Sequence, residues 1–104
     1  ENIVTITKAI HKFFSEKLNK KDLTIVLGRD MRLSSPSLSA VVQKTLLELG
    51  VTVVDIGMSS TPTVYFSVYH FQYDAGIQIS ASHNPKQWNG IKFFYRNNNK
   101  LIKL

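Results

Sequence analysis

Residues 75–85 read Ala-Gly-Ile-Gln-Ile-Ser-Ala-Ser-His-Asn-Pro, an apolar run that passes directly into small and polar residues. The first half predicts a buried β-strand, because short apolar runs bounded by turn residues are typical of one. The second half predicts a loop, which Pro85 prevents from continuing as regular structure. Such loops often carry binding or catalytic residues, because a rigid scaffold holds them towards solvent. Ser, Asn and Pro are equally typical of a loop without any chemical role.

Helix and strand patterns alternate on the amino-terminal side of this stretch. Apolar residues spaced by three and four predict helices, and short β-branched runs predict strands. The second and third helices each carry a Pro near their start, and the second helix ends at a Gly. We assign the aromatic residues of the third helix, Phe71 included, to the core and its rim. The predicted order is a helix over 3–18, a strand over 23–28, a helix from Pro36 to Gly50, a strand over 51–57, a helix capped by Thr61 and a strand over 75–80.

A fourth strand is predicted over residues 91–95. Only a few residues separate it from Pro85, and a parallel neighbour would need a much longer crossover, so it should run antiparallel. Residues 96–100 then predict a polar turn, and residues 101–104 an apolar tail. The fold class that follows is α/β, a three-layer α/β/α sandwich with a mixed four-stranded sheet whose last strand is antiparallel. We expect residues 1–104 to form one domain.

The loops after the three parallel strands should lie at one edge of this sheet. Right-handed crossovers place residues 28–34, 57–61 and 80–88 together there. Ligands of open α/β sheets bind at this carboxyl edge. Ser82, Arg29 and Arg32 are therefore expected on the same side of the molecule.

Composition limits the classes of partner. The 104 residues are 43% hydrophobic, contain no Cys and carry a formal charge of +6 from 13 Lys and Arg against 7 acids. A basic chain suits nucleic acid or an anionic substrate, but no helix has a basic stripe and no strand has the aromatic pattern of an RNA-binding sheet. We therefore expect no nucleic-acid partner. No secretory signal or membrane span is visible, so we expect a cytoplasmic protein with no membrane partner.

The segment from Ser80 to Pro85, followed by Asn89-Gly90-Ile91-Lys92, resembles the active-site serine loop of the α-D-phosphohexomutases, the family of phosphoglucomutase and phosphomannomutase. That loop usually begins with Thr, so Ser80 is a mild departure. A Gly-Arg-Asp segment at 28–30 and a Gly-to-Thr-Pro turn at 57–62 occur in the family's order. The resemblance covers nearly the whole chain and implies the first of four domains, a fragment of a longer enzyme.

The resemblance also implies an activity. The parent enzyme would be an isomerase that moves a phosphoryl group between positions 1 and 6 of a hexose phosphate, through a hexose bisphosphate and with Mg²⁺. Ser82 would be the phosphoserine and one metal contact. His83 would donate a hydrogen bond or shuttle a proton, and Lys92 would hydrogen-bond the reacting oxygen or act as an acid or base. The substrate-binding residues implied are Arg29, Arg32 and Asn84. Without the resemblance, the preferred interpretation of Lys92 is a solvated strand residue, and that of Arg29 is a loop-bracing ion pair with Asp30.

Three functions remain open at this point. The first is the serine-bearing domain of a phosphohexomutase, inactive without the remaining domains of the parent enzyme. The second is a non-catalytic α/β module that binds a phosphosugar or another anion. The third, which we favour least, is a basic nucleic-acid-binding domain. Glucose, mannose and glucosamine phosphates are not distinguished by this part of a mutase.

Overall fold

The computed structural model describes residues 3–30, 37–79, 91–97 and 100–103. Helices and strands alternate up to the third strand, as the apolar patterns predict. No helix in these ranges is long and apolar enough to cross a membrane. The elements are α1 Ile3–Leu18, β1 Thr24–Arg29, α2 Ser37–Glu48, β2 Thr52–Met58, α3 Thr61–His70, β3 Ala75–Ile79, β4 Ile91–Asn97 and β5 Lys100–Lys103.

The strands form one mixed sheet in the order β2-β1-β3-β4-β5. The first three strands are parallel to one another, and β4 is antiparallel to β3. The α/β class and the antiparallel fourth strand are thus confirmed. The sheet also has a fifth strand, where the sequence analysis predicted only an apolar tail. Two apolar residues between lysines are too few for a period-2 pattern, and the strand is recognisable only through its hairpin pairing of Asn97 with Lys100.

The helices cover both faces of the sheet, which confirms the three-layer arrangement. From β1 the chain moves one strand sideways to β2, and from β2 it returns past β1 to β3. Right-handed crossovers in opposite directions place α2 and α3 on opposite faces. Helix α1 packs beside α2 on one face, and α3 covers the other. This division leaves the carboxyl ends of β1 and β3 between two oppositely directed connections, where α/β folds bind ligands.

Each face of the sheet has its own apolar core. Phe14 of α1 is fully buried, and its ring meets Phe93 and Tyr95 of β4 at centroid distances of 5.9 and 6.3 Å. Burial of this apolar surface is the main force that holds the helices on the sheet. The core under α1 and α2 contains Ile10, Phe14, Leu23, Ile25, Leu27, Val42, Leu46, Val51, Ala75, Ile77, Ile79 and Tyr95, and the core under α3 contains Val26, Val64, Val68 and Phe94.

Two predictions about α3 need correction. Its N-cap is Ser60, one residue before the predicted Thr61, because the Ser60 hydroxyl accepts a hydrogen bond from the Thr63 amide. Three of the aromatic residues are also less buried than predicted, since Phe66, Tyr69 and Phe71 are all more than half exposed. Phe66 and Tyr69 lie on the outer side of the helix and Phe71 is its C-cap, while the smaller Val64 and Val68 face the sheet. Tyr65 packs against the core as predicted.

Candidate functional site

Three strands end together at the carboxyl edge of the sheet. Arg29, the last residue of β1, pairs with Met58 of β2 on one side and Ile79 of β3 on the other. Two main-chain hydrogen bonds continue past the strand ends: the Asp30 amide donates to the Ile79 carbonyl at 2.7 Å, and the Ser59 amide donates to the Arg29 carbonyl at 2.8 Å. The starts of the connections after β1 and β2 are thereby tied to the central strands.

The end of β2 is irregular. Leu27 pairs with Asp55 and Gly28 with Gly57, so one extra residue of β2 is accommodated as a β-bulge. The Asp55 carboxylate accepts a hydrogen bond from the Gly57 amide at 2.8 Å, and Gly57 has a φ of 68°, in the left-handed region that favours glycine. Bulges bend a strand and redirect the residues that follow it. The turn between β2 and α3 is brought over the end of β1 in this way.

Gln78 is a buried polar residue in the central part of this edge. It is 1% exposed, and its Nε2 donates a hydrogen bond to the Ser59 carbonyl at 2.9 Å. A Cβ atom added to Gly28 would lie 2.6 Å from Gln78 Oε1 and 2.6 Å from Ser59 Oγ, so both oxygens lie over that glycine. Within the described ranges, neither oxygen has a hydrogen-bond partner. The sequence pattern alone does not identify Gln78, although a lone amide in an otherwise apolar buried strand is the available signal.

The stretch from 80 to 90, which we call the serine segment, joins β3 to β4. Its flanking residues Ile79 and Ile91 are paired directly across the two strands. Paired residues of antiparallel strands have Cα atoms about 5 Å apart. Both ends of the serine segment are therefore held at one point of the carboxyl edge. Ser82, His83 and Asn84 belong to this segment and lie outside the described residues. Arg32, in the connection after β1, also lies outside the described residues.

The two described candidates, Arg29 and Lys92, occupy neighbouring rows of the sheet. Arg29 pairs with Ile79, and Lys92 pairs with Gln78, one residue further from the edge. Because side chains alternate along a strand, Arg29 lies on the face covered by α1 and α2, whereas Lys92 lies on the face of α3. Lys92 is exposed and Arg29 is partly buried. The structure thus brings both cations to the same edge but on opposite faces.

Metal-binding side chains do not cluster in the described part of the chain. Among residues 3–30, 37–79, 91–97 and 100–103, no group of three or more His, Asp or Glu side chains is arranged to hold a metal ion. The described residues thus offer no cluster of this kind to a magnesium ion, which usually takes carboxylate and phosphate oxygens.

The sequence matches one protein family over almost its whole length. Residues 1–103 match the family described as phosphoglucomutase/phosphomannomutase, alpha/beta/alpha domain I. This description agrees with the three layers observed here.

Individual relatives show the same relationship. The chain is 47% identical to a phosphomannomutase of Salmonella montevideo over 83 residues, which cover 80% of this chain and 18% of that protein. It is 44% identical to a phosphoglucosamine mutase of Alkaliphilus metalliredigens over 81 residues, 78% of this chain and 18% of the relative. A phosphomannomutase of Klebsiella pneumoniae is 44% identical over 73 residues, 70% of this chain and 46% of the relative. The chain thus corresponds to less than a fifth of the first two relatives.

Proposed function

The chain belongs to the phosphoglucomutase/phosphomannomutase family, and we propose on this premise that it is the serine-bearing domain of a hexose-phosphate mutase. The parent enzyme is an isomerase that transfers a phosphoryl group between the 1- and 6-positions of one sugar. Its partners are a hexose phosphate, the corresponding hexose bisphosphate and the remaining domains of the same enzyme. We place it in the cytoplasm.

In the proposed reaction, phosphorylated Ser82 donates its phosphoryl group to the free hydroxyl of the sugar phosphate. The bond from phosphorus to Ser82 Oγ breaks, a bond to the sugar oxygen forms, and the product is a hexose bisphosphate. Transfer of the other phosphoryl group back to Ser82 then completes the isomerisation. Lys92 donates a hydrogen bond to the reacting sugar oxygen, and His83 carries the proton that this hydroxyl loses to Ser82 Oγ as the serine leaves; the second transfer moves the proton back in the same way. Phosphoryl transfer depends mainly on such positioning and on charge neutralisation.

One observation carries the proposal. Ile79 and Ile91 are paired at the carboxyl edge, and Lys92 is the next residue of β4. The segment with the candidate nucleophile therefore leaves from and returns to the edge where α/β folds bind ligands. Arg29 at the same edge supplies positive charge for a sugar phosphate, with Arg32 and Asn84 as further contacts.

The proposed reaction uses Mg²⁺, for which the described residues alone contain no cluster of three or more ligands. Ser82 would supply one contact through its phosphate, and other parts of the enzyme would supply the rest. When bound, such an ion offsets the negative charge that develops on the phosphoryl oxygens.

The sugar is a hexose or hexosamine phosphate. The relatives are named phosphomannomutase and phosphoglucosamine mutase, and we propose substrates of this class without choosing between mannose, glucosamine and glucose.

The test is to locate the phosphoryl group in the full-length protein that contains residues 1–104. After incubation with mannose 1,6-bisphosphate and Mg²⁺, mass spectrometry should find one phosphate on Ser82. Ser82→Ala should abolish both labelling and mutase turnover. Ser80→Ala, two residues earlier in the same segment, is the matched control and should remain labelled. Labelling at a different residue, or none in a protein that binds the bisphosphate, would favour the non-catalytic phosphosugar-binding module instead.

A further inference from the structure

We infer that Gln78 is a positioning residue for phosphoryl transfer, an inference that rests on the proposed function. Its side chain joins the three strands whose ends form the candidate site. It extends from β3, lies over Gly28 of β1 and donates its Nε2 hydrogen to the Ser59 carbonyl just after β2. Because a carbonyl only accepts hydrogen bonds, this contact determines which way the amide group faces.

Stability alone does not explain a glutamine at this position. All five residues of β3 are buried, and the other four are apolar or Gly. In the described part of the chain, the amide leaves Oε1 without a partner, beside the equally unpaired hydroxyl of Ser59. Each buried polar group without a hydrogen bond costs about 1–3 kcal/mol. An apolar side chain of similar shape would avoid that cost at Oε1 but would leave the Ser59 carbonyl without its donor, so the net effect on stability is small and the purpose of the amide is the contact itself.

That purpose is to hold the turn after β2 against the end of β3. Without the amide, the Ser59 carbonyl would lose a donor, and the bulged end of β2 would be tied to β1 only through the main chain. Gln78 also pairs with Lys92 in the sheet, and its neighbour Ile79 accepts the hydrogen bond of the Asp30 amide. A displacement of Gln78 would therefore also move Lys92, the connection after β1, and Ile79, from which the serine segment starts.

The decisive variant is Gln78→Met in the full-length protein, because methionine has similar length and no hydrogen-bonding amide. We expect kcat to fall roughly tenfold to a hundredfold, the effect of misplacing reacting groups by about 1 Å. The KM for the sugar phosphate should change by less than about threefold, because a positioning defect acts in the transition state more than on ground-state binding. The melting temperature should stay within about 4 °C of the wild-type value, since the Ser59 carbonyl loses its donor while the unpaired Gln78 Oε1 is removed.

Thr45→Val is the matched control. Thr45 is 3% exposed and donates its hydroxyl hydrogen to the Val41 carbonyl at 2.8 Å, but it lies in α2, away from the carboxyl edge. It should lower the melting temperature at least as much as Gln78→Met and leave kcat unchanged. Equal kcat values for Gln78→Met and the wild type, or equal losses in the two variants, would overturn the inference.

A second measurement separates this inference from the proposed function. Amide hydrogen exchange should become faster at Ser59 and Asp30 in Gln78→Met than in the wild type, because both amides bond to main chain beside the lost contact. Unchanged exchange there overturns the positioning role even if the enzyme is active. Faster exchange in a protein whose wild type shows no mutase turnover retains the structural role of Gln78 and rejects the proposed function.

Discussion

Gly28 illustrates how closely single atoms are packed near the candidate site. A Cβ at this position would lie 2.6 Å from Gln78 Oε1, 2.6 Å from Ser59 Oγ and 2.7 Å from Val64 Cγ2. Distances this short force the neighbours to move, and α3, which carries Val64, is packed against the sheet. We expect Gly28→Ala to lower the free energy of unfolding by about 1–3 kcal/mol, the usual effect of overpacking. Urea denaturation measures it.

A double-mutant cycle with Ser59→Ala identifies the cause of this loss. Ser59→Ala alone should be neutral or slightly stabilising, because it removes a buried hydroxyl that has no partner among the residues that the structure describes. Gly28→Ala should cost less in the Ser59→Ala background than in the wild type, because one of the three close contacts is gone. Strictly additive losses would show that the hydroxyl does not obstruct the added methyl group.

At the scale of single elements, α3 begins where the chain leaves the carboxyl edge, and its start depends on Ser60. The Ser60 hydroxyl accepts a hydrogen bond from the Thr63 amide at 3.3 Å and lies 2.9 Å from the Thr63 hydroxyl. We expect Ser60→Ala to lower the free energy of unfolding by about 1 kcal/mol, whereas Ser60→Gly should cost only a few tenths. Thermal denaturation of both variants measures this. A larger loss with Gly than with Ala would contradict the capping role.

Most of these elements are predictable because local patterns determine them. The spacing of apolar residues identifies α1, and Gly50, with a φ of 85°, ends α2 as predicted. Strand β5 escapes prediction because it is short and is defined by pairing with β4 rather than by its own pattern. The predicted cap of α3 is one residue too late, because Ser60 and Thr61 are both good capping residues and only the geometry distinguishes them.

Some features of the candidate site are likewise predictable from the sequence, and others are not. The common edge of three parallel strands follows from connection lengths and handedness, and the structure confirms it. The separation of Arg29 and Lys92 onto opposite faces needs the exact register, since a shift of one residue exchanges the two faces of a strand. The role of Gln78 needs three-dimensional contacts with β1 and the β2–α3 turn, which are distant in sequence. The roles of Ser82 and its neighbours remain predictions.

At the scale of the whole molecule, the fold supplies one wall of the proposed site. The carboxyl edge carries Arg29 and Lys92, and the described residues contain no cluster able to hold a metal ion. The matched region is 18% of the length of the Salmonella relative. Phosphoryl transfer requires a substrate surrounded by charge-neutralising groups. One wall that binds a sugar phosphate leaves the opposite side of that substrate in water.

From this geometry we expect the 104-residue chain alone to show no sustained mutase turnover. The assay would follow conversion of mannose 1-phosphate to mannose 6-phosphate with Mg²⁺ and a catalytic amount of the bisphosphate. The full-length protein at equal concentration is the positive control, and far-UV circular dichroism establishes that the shorter chain is folded. The Ser82→Ala form of the 104-residue chain provides the background rate. Turnover clearly above that background would mean that this domain carries a complete site, and it would remove the need for the remaining domains in the proposed mechanism.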